Sequence, residues 1–230
     1  MKITFEENQS EILFRLSDFD PAYVPLFEMC FYLADKGDYI KRFPANTPDL
    51  HKIMKVYEKH AEEMFSQLGY FSPIPWEDAL HAFLERVAGE PIDWWLTGSC
   101  AACIRGIALN PHDVDIMLNS RDLPIIQERF ADVTIEPILD THGWLTKEFG
   151  VLFLHARIDI ATDPVASLDN PEPVDCGPYA KAHLEEVEWR GFPIKVPPVA
   201  LQIAVNKMRG RYDRVTLLEA YQQQANTWMR

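Results

Sequence analysis

Apolar positions recur at helical spacing through residues 47–68, where Leu50, Ile53, Met54, Tyr57, Ala61, Met64 and Phe65 form one stripe behind a Thr-Pro-Asp start. This is the clearest helix in the pattern. A second is predicted over 75–87, opening within Ser-Pro-Ile-Pro-Trp and closing near Gly89, and residues 23–35 also alternate at helical spacing. Ahead of them lie a short predicted strand at 2–5 and an amphipathic stretch at 9–16. Residues 1–88 therefore read as a helical module whose aromatics and methionines are core.

From Pro91 the period shortens. Residues 92–96 are short, aromatic and apolar, as in a buried strand, and 99–108 are rich in small residues, as in a helix. Strands are expected at 113–118, 133–139 and 151–154, with another around Asp159, and a helix over 120–132 carries Leu123, Ile126 and Phe130 at helical spacing. Strands interleaved with helices suit an α+β fold, a mixed sheet with helices on one face and helical segments at both ends of the chain. Residues 89–165 are the expected core unit. The remainder, 166–230, reads as a Pro- and Asp-rich ordered loop or lid, a hairpin at 183–196, a helix opened by Pro197-Pro198 and ending near Gly210, and a last helix over 211–225.

Candidate chemistry concentrates between Trp94 and Ala161. Gly98 and Ser99 form the turn between the first strand and its helix. A glycine there lets a ligand approach the backbone, and unpaired N–H groups at the helix start favour an anion, although a plain capping turn has the same residues. On the following strand Asp113 and Asp115 share one side while Val114 and Ile116 take the other. Two ionised aspartates side by side repel unless solvated, protonated or bridged by a cation. Asp159, flanked by Ile158 and Ile160, repeats the pattern, and a neighbouring strand would bring it beside them. Three convergent carboxylates are a ligand set for one or two Mg2+ ions, hard cations that bridge nucleotide phosphates.

Gly-Ser, a helix, Asp-x-Asp on a strand and a later lone Asp on another strand resemble the DNA polymerase beta-type nucleotidyltransferase superfamily. Within it, TGSCAACIRG followed by HDVDIML is similar to the small lincosamide and aminoglycoside nucleotidyltransferases and to nucleotidyltransferase-domain toxin and antitoxin proteins. The resemblance covers residues 90–162 and extends more loosely to VPPVALQIAVNKMRGRYDRV near the C-terminus. The gap between Gly-Ser and the first Asp is longer than in the minimal members. The resemblance implies Asp113, Asp115 and Asp159 as catalytic metal ligands, Gly98 and Ser99 against the phosphates of an NTP, with ATP the expected one, and two Mg2+ ions. It also implies a basic contact from the C-terminal helices, with Lys207 the first candidate and Arg105 a weaker one. The acceptor it implies is a small hydroxylated molecule. An RNA end, a protein hydroxyl, or a non-catalytic antitoxin-like role on the same fold are the alternatives.

Charge narrows the partners. A formal net charge of -13 over 230 residues argues against broad contact with a nucleic-acid backbone and suits a neutral or cationic acceptor. The one basic cluster is Lys207, Arg209, Arg211 and Arg214. If the helix continues across Gly210, then Lys207, Arg211 and Arg214 share a face, either on phosphates or solvated beside Asp213 and Glu219. No apolar run is long enough to span a membrane, the N-terminus lacks a signal-peptide pattern, and four cysteines make no disulfide scaffold, so a cytoplasmic location with reduced thiols is expected. Cys100 and Cys103 form a C-x-x-C with no second ligand pair, which reads most simply as small residues that let a helix pack closely. His112 precedes the first aspartate and either meets the site or lies at a wet strand edge. The other histidines show no metal-ligand spacing.

Overall fold

The computed structural model describes residues 1–228. Its first 44 residues correct the expectation of a helical module. They form an antiparallel sheet of β1 (Lys2–Glu7), β2 (Glu11–Ser17), β3 (Leu33–Asp35) and β4 (Asp38–Pro44) in the order β1-β2-β4-β3, with the six-residue α1 (Val24–Met29) inserted after β2. The reason is visible in β2, where buried Ile12, Phe14 and Leu16 recur every second residue and face one way. The helical spacing over 23–35 is real only for α1; the chain then turns through Phe31 and enters β3. Next comes α2 (Leu50–Leu68), whose predicted stripe is buried against this sheet, with Phe14 and Tyr57 edge to face at 4.8 Å. α3 (Trp76–Val87) follows as expected.

The central sheet holds β5 (Trp94–Thr97), β6 (Val114–Leu118), β7 (Thr134–Asp140), β8 (Glu148–Leu154) and β9 (Ala156–Thr162) in the order β5-β6-β9-β8-β7. It is mixed: β6 and β9 are parallel and every other pair is antiparallel. α4 (Gly98–Cys103) links β5 to β6, and α5 (Leu123–Arg129) follows β6. α4 is shorter than the residue pattern suggests, since the chain leaves it before Gly106, whose φ of 88° breaks the helix. One face of the sheet, with Leu96, Val114, Ile116, Leu118, Ile158 and Ile160, packs on α3, α4 and α5. The opposite face is covered at its β7–β8 end by α2 and the N-terminal sheet, through Ile135, Val151 and Phe153. At its β5–β6–β9 end that face carries Trp95, Met117 and Ala161, buried against Cys176 and Leu184 of the segment after β9, and the site opens beside Met117 and Ala161.

Beyond β9 the chain forms a short turn of helix at Ala166–Asp169, then α6 (Pro178–Ala182), the hairpin β10 (Glu185–Trp189) and β11 (Phe192–Val196), α7 (Val199–Met208) and α8 (Tyr212–Trp228). α7 and α8 bury Val199, Ile203, Val215 and Leu218 against Ala102 of α4. No helix among the described residues is long and apolar enough to cross a membrane.

A buried polar network joins the two sheets. Glu136 of β7 is 2% exposed, receives Lys41 Nζ at 2.5 Å and the Tyr32 hydroxyl at 2.9 Å, and Tyr32 shares a further hydrogen bond with Tyr57 at 2.7 Å. Removing one partner of such a pair leaves an uncompensated buried charge. Glu136→Ala is therefore expected to lower the unfolding free energy by about 3–5 kcal/mol in urea titrations, against less than about 1 kcal/mol for Glu11→Ala in the exposed pair with Arg42.

Candidate active site

The parallel pairing of β6 and β9 sets Asp115 directly opposite Asp159, and Asp113 lies one residue ahead of β6. Their carboxylates converge, with one oxygen from each within 4.8 Å of the others. Among the described residues this is the one group of three or more His, Cys, Asp and Glu side chains placed to share an ion. Burial pushes the Asp113 carboxyl up to about 7, helped by the charge of Asp159 and opposed by Arg157 and Arg214. Burial and the charges of Asp113 and Asp159 hold the Asp115 carboxyl well above its ordinary range too.

Asp159 has a partner the sequence reading missed. Arg157, two residues earlier on the same strand face, donates from Nε at 2.6 Å and from Nη2 at 3.2 Å to its two oxygens, and from Nη1 to Cys30 Sγ at 3.3 Å. The signal was present in HARIDIA, because residues i and i+2 of a strand point the same way. Asp113 and Asp115 are left without such a fork.

Antiparallel pairing of β5 and β6 puts Thr97 across from Asp115, so the Gly98-Ser99 turn begins beside the cluster. Gly98 has φ 65°, and a Cβ there would run into Asp115 Oδ2, so two separate constraints require glycine. Ser99 does not cap α4; its Oγ accepts from Arg214 Nη1 at 2.9 Å. Thr97 is fixed by its hydroxyl, which donates to Asp175 O at 2.9 Å, so the loop after β9 is an ordered strap over this turn.

The basic side chains sort differently from expectation. α7 ends at Met208, Gly210 takes φ 67°, and α8 starts at Tyr212, so the continuous face of Lys207, Arg211 and Arg214 does not form. Lys207 is 52% exposed and pairs with Glu219 at 2.7 Å. Arg209, Arg211 and Arg214 instead line a cavity of about 250 Å³ with Gly98, Ser99, Asp113 and Asp115. Arg105 also lies outside it, joined to Glu185 at 2.6 Å and to Pro197 O at 3.2 Å, where it ties α4 to the hairpin. Asp175 and Gln202, unanticipated from sequence, close the cavity; Gln202 Nε2 donates to Gly98 O at 2.7 Å.

A second cavity of about 250 Å³ opens on the other side of the cluster, lined by Phe31, Met117, Trp144, Phe149, Arg157 and Asp159 together with Asp113 and Asp115. Asp113 and Asp115 thus border both cavities, while Asp159 borders only this second, more apolar one. A wider, more open groove of about 860 Å³ adjoins the basic cavity, sharing Leu109, His112 and Arg214 with it. His112 is half-buried, its Nδ1 lies 3.1 Å from Leu68 O and its ring 4.3 Å from that of Tyr70, and burial pushes its pKa down against the Leu68 hydrogen bond. Cys100 and Cys103 are free thiols whose sulfurs donate to Asp113 O at 3.2 Å and Leu109 O at 3.4 Å, packed as the small-residue reading expects.

No protein-family model and no curated protein matches the chain in sequence. Among solved structures it is similar to a Thermotoga maritima protein provisionally described as a nucleotidyltransferase (TM-score 0.47, 20% identity, 64% of this chain and 91% of that one). It is also similar to a lincosamide antibiotic adenylyltransferase bound to lincomycin (0.45, 14%, 63% and 97%). A third is the antibiotic-resistance factor ANT(2'')-Ia in complex with adenylyl-2''-tobramycin (0.42, 10%, 66% and 97%). At such identities and TM-scores residue roles do not carry across.

The raised Asp113 carboxyl has a consequence for stability. In acid both folded and unfolded chains hold the proton; between the ordinary carboxylate range and pH about 7 only the unfolded chain releases it, so folding weakens as pH rises. Asp113→Asn removes that penalty. The variant's stability advantage is expected to grow from near zero at pH 4 to roughly 1–3 kcal/mol at pH 8 in chemical denaturation. A difference that does not change with pH would contradict the assigned environment.

Proposed function

We propose that the chain is a metal-dependent nucleotidyltransferase that moves a nucleoside monophosphate from an NTP, with ATP the expected donor, to a hydroxyl of a small acceptor. The observation that carries this reading is the position of Asp113 and Asp115 at the boundary between a basic cavity and an apolar one. The donor set fits a divalent cation: three converging carboxylates, two of them without a guanidinium partner, and an oxygen-only chemistry suited to Mg2+. Bound there, such a cation would neutralise phosphate charge and lower the pKa of an acceptor hydroxyl.

The chain's own residues divide the work. Arg209, Arg211 and Arg214 offer charge-assisted hydrogen bonds to a triphosphate in the basic cavity, and Gly98 lets it approach the backbone. Arg214 also holds Ser99, so the turn and the guanidinium act as one unit. Asp159, which faces only the second cavity, is the candidate to accept the acceptor's proton, with Arg157 fixing its orientation. The hydroxyl oxygen bonds to the α-phosphorus, the bond from that phosphorus to the β-bridging oxygen breaks, and pyrophosphate leaves with the electron pair.

With α-labelled ATP, Mg2+ and a pool of hydroxylated small molecules, Asp113→Ala and Asp159→Asn, the latter keeping a polar partner for the buried Arg157, are expected to reduce labelling by at least about 100-fold while the fold persists. In calorimetric titration with Mg-ATP, Arg214→Ala is expected to weaken binding by roughly 10- to 100-fold and Lys207→Ala by no more than about twofold. Undiminished labelling in both aspartate variants would refute the enzyme reading.

A further inference from the structure

We propose that the second cavity takes an uncharged acceptor with a compact aromatic or alicyclic body, gripped at its mouth by Phe31 and Trp144. This deepens the transferase reading and rests on it. Phe31 follows α1 and Trp144 lies between β7 and β8, 113 positions apart in sequence, yet their rings meet edge to face at 5.3 Å over the carboxylates. Both are large apolar side chains left in water, 60% and 42% exposed, and Met29 and Leu145 extend the same lining. Phe31 bears a second cost, since its φ of 63° is a conformation that a bulky L residue rarely adopts. Strained backbone and exposed aromatic surface at one position, beside a reactive cluster, are the marks of a ligand clamp.

Charge then selects the occupant. The only charged side chains lining this cavity among the described residues are the three aspartates and Arg157, and Arg157 is committed to Asp159. A polycationic amino sugar would find no acidic wall beyond the carboxylates needed for metal, and an RNA end would find no free cation for its phosphates. The wall is instead Met117, Phe149, Ala161 and Leu168, while the hydroxyls of Thr97 and Thr146 donate to the backbone carbonyls of Asp175 and Glu148 and offer only acceptor oxygens. At about 250 Å³ the space is smaller than the roughly 300–1,000 Å³ of drug-sized sites, so it suits a body of one or two fused rings whose hydroxyl reaches the cluster.

The test uses the full chain and 2-naphthol as probe, titrated calorimetrically with and without saturating Mg-ATP. Binding is expected, undiminished by Mg-ATP, and weakened about 5- to 10-fold by Phe31→Ala or Trp144→Ala, with Mg-ATP affinity unchanged within about twofold and with Phe31→Tyr and Trp144→Phe close to the parent. Both positions are exposed, so the variants fold, as circular dichroism will verify. Displacement of 2-naphthol by ATP would mean that the cavity holds the nucleotide, and would overturn the proposal. So would labelling of kanamycin, a peptide hydroxyl or a tRNA end in preference to 2-naphthol when each is offered with α-labelled ATP, if that labelling is insensitive to Phe31→Ala and Trp144→Ala. If the unaltered chain does not bind Mg-ATP at all, the transferase reading falls first and this inference with it. If Mg-ATP binds and 2-naphthol does not, only the acceptor assignment fails.

Discussion

Mutual repulsion among Asp113, Asp115 and Asp159 is the constraint to which the rest of the site responds. Strand pairing forces it: the β6–β9 register allows Asp115 and Asp159 no other relative position. A fold with this register must offset the charge. Arg157 does so for Asp159 from the same strand face, and a raised affinity for protons does so for the other two. What a proton does poorly at neutral pH a divalent cation does well, which links the instability of the cluster to its proposed use.

From that centre the two cavities acquire opposite characters. The α7–α8 connection brings Arg211 and helix α8 brings Arg214 to one side, and the loops after α1 and β7 bring aromatic rings to the other. On the face that carries the second cavity, α2 and the N-terminal sheet pack over β7 and β8, while Cys176 and Leu184 pack on Trp95, Met117 and Ala161 at the other end.

What the sequence made legible was local. Alternation about Asp113, Asp115 and Asp159 and the Gly98-Ser99 turn depend on neighbours within a few residues; the three carboxylates converge and Gly98 lies against Asp115, while Ser99 accepts from Arg214 instead of capping its helix. The N-terminal sheet was less legible, because Leu13 is buried along with Ile12, Phe14 and Leu16 and blurs the period of two. Lys207 looked equivalent to Arg214 only on the assumption of one continuous helix, which Gly210 breaks. Arg157 could have been found from its i to i+2 relation to Asp159. The meeting of Phe31 with Trp144 is set by long-range packing, and no local pattern signals it.

The central claim is that the three carboxylates hold a divalent metal against nucleotide phosphates. Crystals grown with Mn2+ and α,β-methylene-ATP test it most directly, through anomalous scattering. A manganese peak within about 2–2.5 Å of oxygens from Asp113 and Asp115, with the triphosphate running toward Arg214, is the expected result. Nucleotide bound with no metal at the aspartates, or metal bound elsewhere, would contradict it.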